Sequence, residues 1–112
     1  MRWERCEGYV VLHGAAAPGA SATTFGPLIL VAEGVVLEGR LLRHELEHVR
    51  QYRELGYVGF FRRYFAAYLR WRLDGYSHWA AYRRIPLEIE AEWVARRTGV
   101  DARPARARGA SG

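Results

Sequence analysis

The stretch that decides the reading is "RHELEHVRQY", Arg43 to Tyr52. Leu42, Leu46 and Val49 recur at helical spacing and form one apolar strip. Arg43, Glu47, Arg50 and Glu54 make a solvated face, with Arg43–Glu47 and Arg50–Glu54 as charge pairs four residues apart. His44 and His48 are also four apart, which puts both imidazoles on one side of a helix, one turn from each other. Leu41, Tyr52 and Leu55 share that side. The segment therefore predicts a helix over about 40–54, stopped at Gly56, with a histidine edge at the boundary of a core.

Upstream of this helix the chain reads as β. "GYVVLH" (8–13) and "TTFGPLILVA" (23–32) are apolar runs rich in β-branched residues, joined by the loop "GAAAPGASA". Pro27 has no N–H for a ladder, so the second run is expected at a sheet edge or bulged there. "GVVLEG" (34–39) is either a short third strand or a lead into the helix. The strand around Leu28–Val31 is expected to form the upper rim of a cleft, where an extended peptide adds as a further strand.

Downstream the pattern is helical. "YVGFFRRYFAAYLRWRL" predicts a helix over 57–73, ended by the Asp74–Gly75 turn signal. A short helix follows over about 77–84. A last helix starts at Pro86 and ends before Gly99. On a wheel, Phe60, Phe61, Tyr64, Phe65, Tyr68, Leu69 and Trp71 fill one side of the 57–73 helix, which predicts a wide core face. Arginines beside aromatics also suit a membrane-surface or single-strand nucleic-acid helix. Arg72 interrupts the arc, so the helix frays there or Arg72 has a buried acidic partner. The fold class is thus α+β: a small N-terminal sheet packed on a four-helix C-terminal part. One domain over 1–100 is expected, with a flexible tail over 101–112.

The 112-residue length fits one domain with a modest core. Half the residues are apolar and 26% charged, a globular composition. No run reaches the roughly 20 apolar residues of a membrane-spanning helix, and "MRWERCEGYV" lacks the apolar core of a secretory signal. The single Cys6 cannot form an intrachain disulfide, so a cytoplasmic location is expected. All 17 basic residues are Arg and the net charge is +5, spread along the chain as on a solvated surface. No stable nucleic-acid partner is expected.

The chemistry lies in His44-Glu45-x-x-His48. Two neutral imidazoles one turn apart can share a zinc ion, and a third protein ligand leaves one position for water. The metal acidifies that water, and Glu45, beside His44, takes its proton as general base. Candidates for the third ligand are His13, His78 and the carboxylates of the last helix. On that helix Glu88, Ala91, Glu92 and Ala95 share a face, while Glu90 points away. Two alanines between two carboxylates allow close helix approach, and a carboxylate on a packing face needs a partner. A metal ion, with a histidine hydrogen bond to the second carboxylate, supplies partners. The alternative is that Glu88 and Glu92 are solvated acids favoured by the helix dipole.

"RHELEHVRQY" followed at a distance by "YRRIPLEIEAEWVA" resembles the gluzincin class of zinc metallopeptidases, in particular the small minigluzincins and bacterial zincin-like domains with a His-Glu-Leu-x-His-x-x-Gln helix. The similarity covers about residues 23–98, with the specific motifs at 44–52 and 86–92. It implies a zincin-like fold, with His44, His48 and Glu88 as zinc ligands and Glu45 as general base. Glu92 is then a partner of a ligand, and a peptide or protein is the substrate. The resemblance also allows a latent enzyme with a terminal segment in the cleft. Tyr76, His78 and Tyr82, just before the last helix, are candidates for stabilising the oxyanion. Other classes remain open: a zinc-binding structural or partner-binding module without turnover, and a metal-free nucleic-acid-binding protein.

Overall fold

A computed structural model describes residues 1–97 and Pro104 of the chain. Most of the tail expected over 101–112 lies outside the described residues. The fold is α+β, in the order β1 (Arg2–Cys6), β2 (Tyr9–His13), β3 (Ala22–Phe25), β4 (Leu28–Val31), α1 (Gly39–Leu73), α2 (His78–Arg83) and α3 (Pro86–Arg97).

The strands form one sheet in the order β1-β2-β4-β3. β1 and β2 are antiparallel, with Trp3 opposite Leu12. β4 runs parallel to β2, with Val11 opposite Ile29. β3 returns antiparallel on the far side of β4, with Thr24 opposite Ile29. The run 23–32 is thus two strands joined by Gly26-Pro27, not one bulged strand. Gly26 has φ +62°, the left-handed first position of a two-residue hairpin turn. A Cβ there would also overlap the Tyr57 ring. Pro27 needs no ladder N–H in the turn, and its carbonyl accepts from Val10 N at 2.8 Å. β4 borders the cavity through Leu28 and Leu30, but it is paired on both sides, so the free edge expected on it belongs to β3. Residues 34–38 form no strand and lead into α1, with Leu37 buried in the core.

Alternation along the strands places Val11, Ile29 and Val31 in a core with Cys6, Tyr9, Leu37, Leu42 and Val49. The first half of α1 therefore packs under the sheet. A second cluster joins Tyr52 and Phe60 of α1 to Ile85, just before α3, and Leu87 in its first turn.

Among the described residues three helices are present rather than four. α1 covers both the 40–54 and the 57–73 segments, and Gly56 (φ +73°, ψ 169°) breaks its helical geometry between them. Gly56 can take that conformation because it lacks a Cβ. Ser77 caps α2, its Oγ accepting from Ala80 N at 3.3 Å. α3 starts on Pro86, where the missing N–H has no helical partner to lose.

α3 packs against α1 through Ala91 and Ala95, both fully buried. Its approach changes the face of α1 expected to be solvated. Glu47 is buried, Arg43 Nε donates to the Ala95 carbonyl at 2.8 Å, and Arg50 binds Glu47, Glu54 and Glu90. The wide core face expected on 57–73 is narrower. Phe65 and Leu69 are more than half exposed, and Arg72 is exposed, with no buried acid paired to it among the described residues.

Candidate metal centre

Three side-chain atoms from two helices converge beside a cavity of about 1310 Å³. His44 Nε2 and His48 Nε2 lie 3.2 Å apart. Glu88 Oε1 is 2.9 Å from each of them. The i,i+4 spacing on α1 aligns the imidazoles, and the alanine face of α3 lets Glu88 reach them. His48 and Glu88 are buried and His44 is partly so.

The outer contacts fix which atoms face inward. Gln51 Nε2 donates to the Leu87 carbonyl at 3.0 Å, so its Oε1 must accept from His48 Nδ1, at 2.8 Å. His44 Nδ1 likewise donates to Glu92 Oε2 at 3.1 Å. Glu92 is itself held by Arg40 and Arg96. With both Nδ1–H groups committed, the neutral rings present Nε2 lone pairs toward a carboxylate oxygen. Three acceptors this close, and largely out of water, need a cation between them, either a proton or a metal ion. The donor set suits a metal. Two ligands about 2.0–2.1 Å from a tetrahedral zinc stand roughly 3.3–3.4 Å apart, close to the separations here. His44, His48 and Glu88 can thus hold a metal ion.

The electrostatics follow the geometry. Burial works to raise the Glu88 carboxyl, but hydrogen bonds from His44, His48 and Tyr64 and the charge of His48 hold it well below the usual range. Burial opposes a charge on His48, yet the hydrogen bond and charge of Glu88, with help from Glu45 and Gln51, raise its pKa. Glu92 is lowered. Burial opposes this, but Arg96, Arg40 and His44 outweigh it.

Glu45 is buried and borders the same cavity. Thr24 Oγ1, on β3, donates to Glu45 Oε1 at 2.8 Å. Burial pushes this carboxyl up, against the lowering effect of the two histidines and Thr24. Tyr64 donates to Glu88 Oε2 at 2.5 Å, and burial beside Glu88 pushes its phenol up. Tyr82 lines the cavity and is raised for the same two reasons, so both phenols stay protonated.

The sequence-derived candidates separate clearly. His44, His48, Glu88, Glu45, Glu92 and Tyr82 all line the cavity. His78 lines the cavity but pairs with the Tyr68 hydroxyl at 2.9 Å. Tyr76 packs against Trp71 and under Arg84. His13 pairs with Glu4 within the sheet and is no part of the cluster. Glu90 pairs with Arg50 at 2.6 Å, away from the histidines. Sequence reasoning gave no role at the site to Thr24, Gln51 and Tyr64. Gln51 was within reach, because it is the last residue of the His-Glu-Leu-x-His-x-x-Gln pattern and lies one turn after His48. Thr24 and Tyr64 carried no local signal. Comparison with models of protein families, with curated proteins and with solved structures finds no significant match to this chain.

Proposed function

We propose that the chain is a zinc-dependent, gluzincin-like peptidase domain that hydrolyses peptide bonds. The observation that carries this reading is the convergence of His44, His48 and Glu88 on the cavity wall that also holds Glu45. His44, His48 and Glu88 would hold the ion. Zinc bound there supplies Lewis acidity toward a water molecule and a peptide carbonyl.

The chain's own residues supply the rest. Glu45 takes up a proton and returns it to the leaving amine. Thr24 occupies its Oε1, so Oε2 is the working oxygen. A carboxyl raised by burial is a stronger base once ionised, which suits that task. Gln51 and Glu92 fix the tautomers of the two histidines. Tyr82, protonated and lining the cavity, is the candidate donor for stabilising a developing oxyanion. β3 is the outer strand beyond β4 and borders the cavity, so an extended peptide can pair along it.

The test is elemental analysis of purified protein with hydrolysis of a mixed peptide library. One zinc per chain and cleavage lost in Glu45→Gln support the reading. Full zinc without cleavage would favour a structural or partner-binding module, and absence of metal binding would reject the centre.

A further inference from the structure

The second half of α1 carries a feature that the metal centre does not use. Val58, Phe65, Leu69 and Leu73 follow one another at seven- and four-residue steps, a continuous stripe along one face. They are 80, 57, 57 and 77% exposed. An apolar stripe of this length on a small domain calls for a partner. Arg62, Arg63, Arg70 and Arg72 line the same half-helix, all exposed, and none forms an ion pair among the described residues. No acid lies between Leu55 and Leu73.

The charge distribution identifies the partner. Residues 55–87 hold six arginines against one acid, Asp74, a surplus of five. The whole chain's net charge is also +5, so the rest of the sequence sums to zero. A second copy docked on the stripe would bring the same arginines against these. Residues 98–112 bring three arginines and one aspartate, and also repel. An anionic lipid surface attracts the arginines and accepts the apolar side chains between them. Half-exposed Trp79, on the cavity wall with Phe65, is a residue type that favours the lipid–water boundary.

We infer that the 57–73 face of α1 docks the protein on anionic membranes, with the Val58–Phe65–Leu69–Leu73 stripe in the interface and the arginines on the headgroups. No helix among the described residues is long and apolar enough to cross a membrane, so the attachment is peripheral. Phe65 belongs to both the stripe and the cavity wall, which sets that wall of the cavity beside the lipid.

Co-sedimentation of the full chain with vesicles tests this. Phosphatidylcholine vesicles containing phosphatidylglycerol should bind the wild type, and pure phosphatidylcholine vesicles should not. Binding should weaken as salt rises. Phe65→Ala with Leu69→Ala should lower the partition coefficient about tenfold or more, since each side chain loses apolar burial. Both positions are exposed, so the far-ultraviolet circular dichroism of the double variant should match wild type. Trp3→Ala, exposed on β1, should bind as wild type does. No binding to the anionic vesicles overturns the inference, as does binding unaffected by the double variant. A wild-type dimer in light scattering that the double variant dissolves, without vesicle binding, would assign the stripe to a second copy instead.

Discussion

Replacing Glu88 tests the centre most directly, because the buried carboxylate holds three partners, His48 buried and His44 and Tyr64 partly so. Its Oε1 is 2.9 Å from both histidine Nε2 atoms, and Tyr64 donates to its Oε2 at 2.5 Å. In metal-free protein, Glu88→Ala removes the anion of a buried ion pair and leaves the Tyr64 hydroxyl and His48 without it. Breaking a buried pair on one side costs about 3–5 kcal/mol. At about 4 °C or more per kcal/mol for a domain near this size, the melting temperature should fall by at least about 12 °C. Glu90→Ala, two residues along the same helix, breaks only a half-exposed pair with Arg50, worth about 0–1 kcal/mol after solvent screening. The metal readout separates the two further. Losing an outer partner of a ligand weakens a site by about 10–100-fold, so losing the ligand itself should exceed about 100-fold. Glu88→Gln covers the case in which the alanine variant does not fold, since the amide keeps the shape and removes the charge. The assays are thermal melting in chelator and zinc competition against a chromophoric chelator. Equal zinc affinity in Glu88→Gln and Glu90→Ala would refute the ligand assignment, and equal melting temperatures of the two alanine variants in chelator would refute the energetic argument.

Glu45→Gln should keep fold and zinc while abolishing hydrolysis, read by elemental analysis beside a peptide assay. Thr24→Val removes a hydrogen bond that lowers the Glu45 pKa, so the acid limb of kcat/KM should move to higher pH, whereas a purely structural role would leave the limb in place. Gln51→Ala should weaken zinc binding about 10–100-fold by freeing His48 Nδ1, measured by the same competition. Zinc and protons compete for His48, whose metal-free pKa is raised, so the ion pair with Glu88 stabilises apo protein fully below pH 6.5 and fades as pH rises through the raised value. Zinc binding gains over that same range, so chelator should depress the melting temperature strongly at pH 7.5 and little at pH 5.

The cluster was legible because its three side chains obey helical periodicity. His44 and His48 share a face through spacing alone, and the wheel separated Glu88 and Glu92 from Glu90 before any distance was known. Ala91 and Ala95 gave the reason, and both are fully buried at the helix contact. Other features depended on information the local pattern does not hold. β1, "RWERC", buries only Cys6, so no apolar alternation marks it as a strand. Gly26-Pro27 reads equally as a bulge or a hairpin until partners are known, and the hairpin moved the free edge from β4 to β3. Periodicity also cannot say how much of an aromatic arc finds neighbours. Phe60 and Tyr64 pack at the site, whereas Phe65 and Leu69, on the same predicted face, are largely exposed. Tyr64 reaches Glu88 from beyond the Gly56 break, so its role follows from that bend and not from its spacing.

The distribution of buried polar groups argues that the centre is more than packing. Thr24, Glu45, Glu47, His48, Gln51 and Glu88 are buried among the described residues, and all but Glu47 belong to the centre. No buried side-chain nitrogen or oxygen among the described residues lacks a hydrogen-bond partner, so the network is complete. Each of these groups gives up water, and an apolar residue of similar volume would serve the core at least as well. A domain near 100 residues has little stability to spare for such substitutions. Concentrating them where two helices and an edge strand meet, open to a large cavity, is destabilising for a scaffold and useful for a cation site. The same trade-off shapes α1. Its first half spends burial on the histidines and Glu45, while its second half leaves Phe65 and Leu69 in solvent. Both choices forgo core stability at places where a bound ion or a lipid surface can restore it.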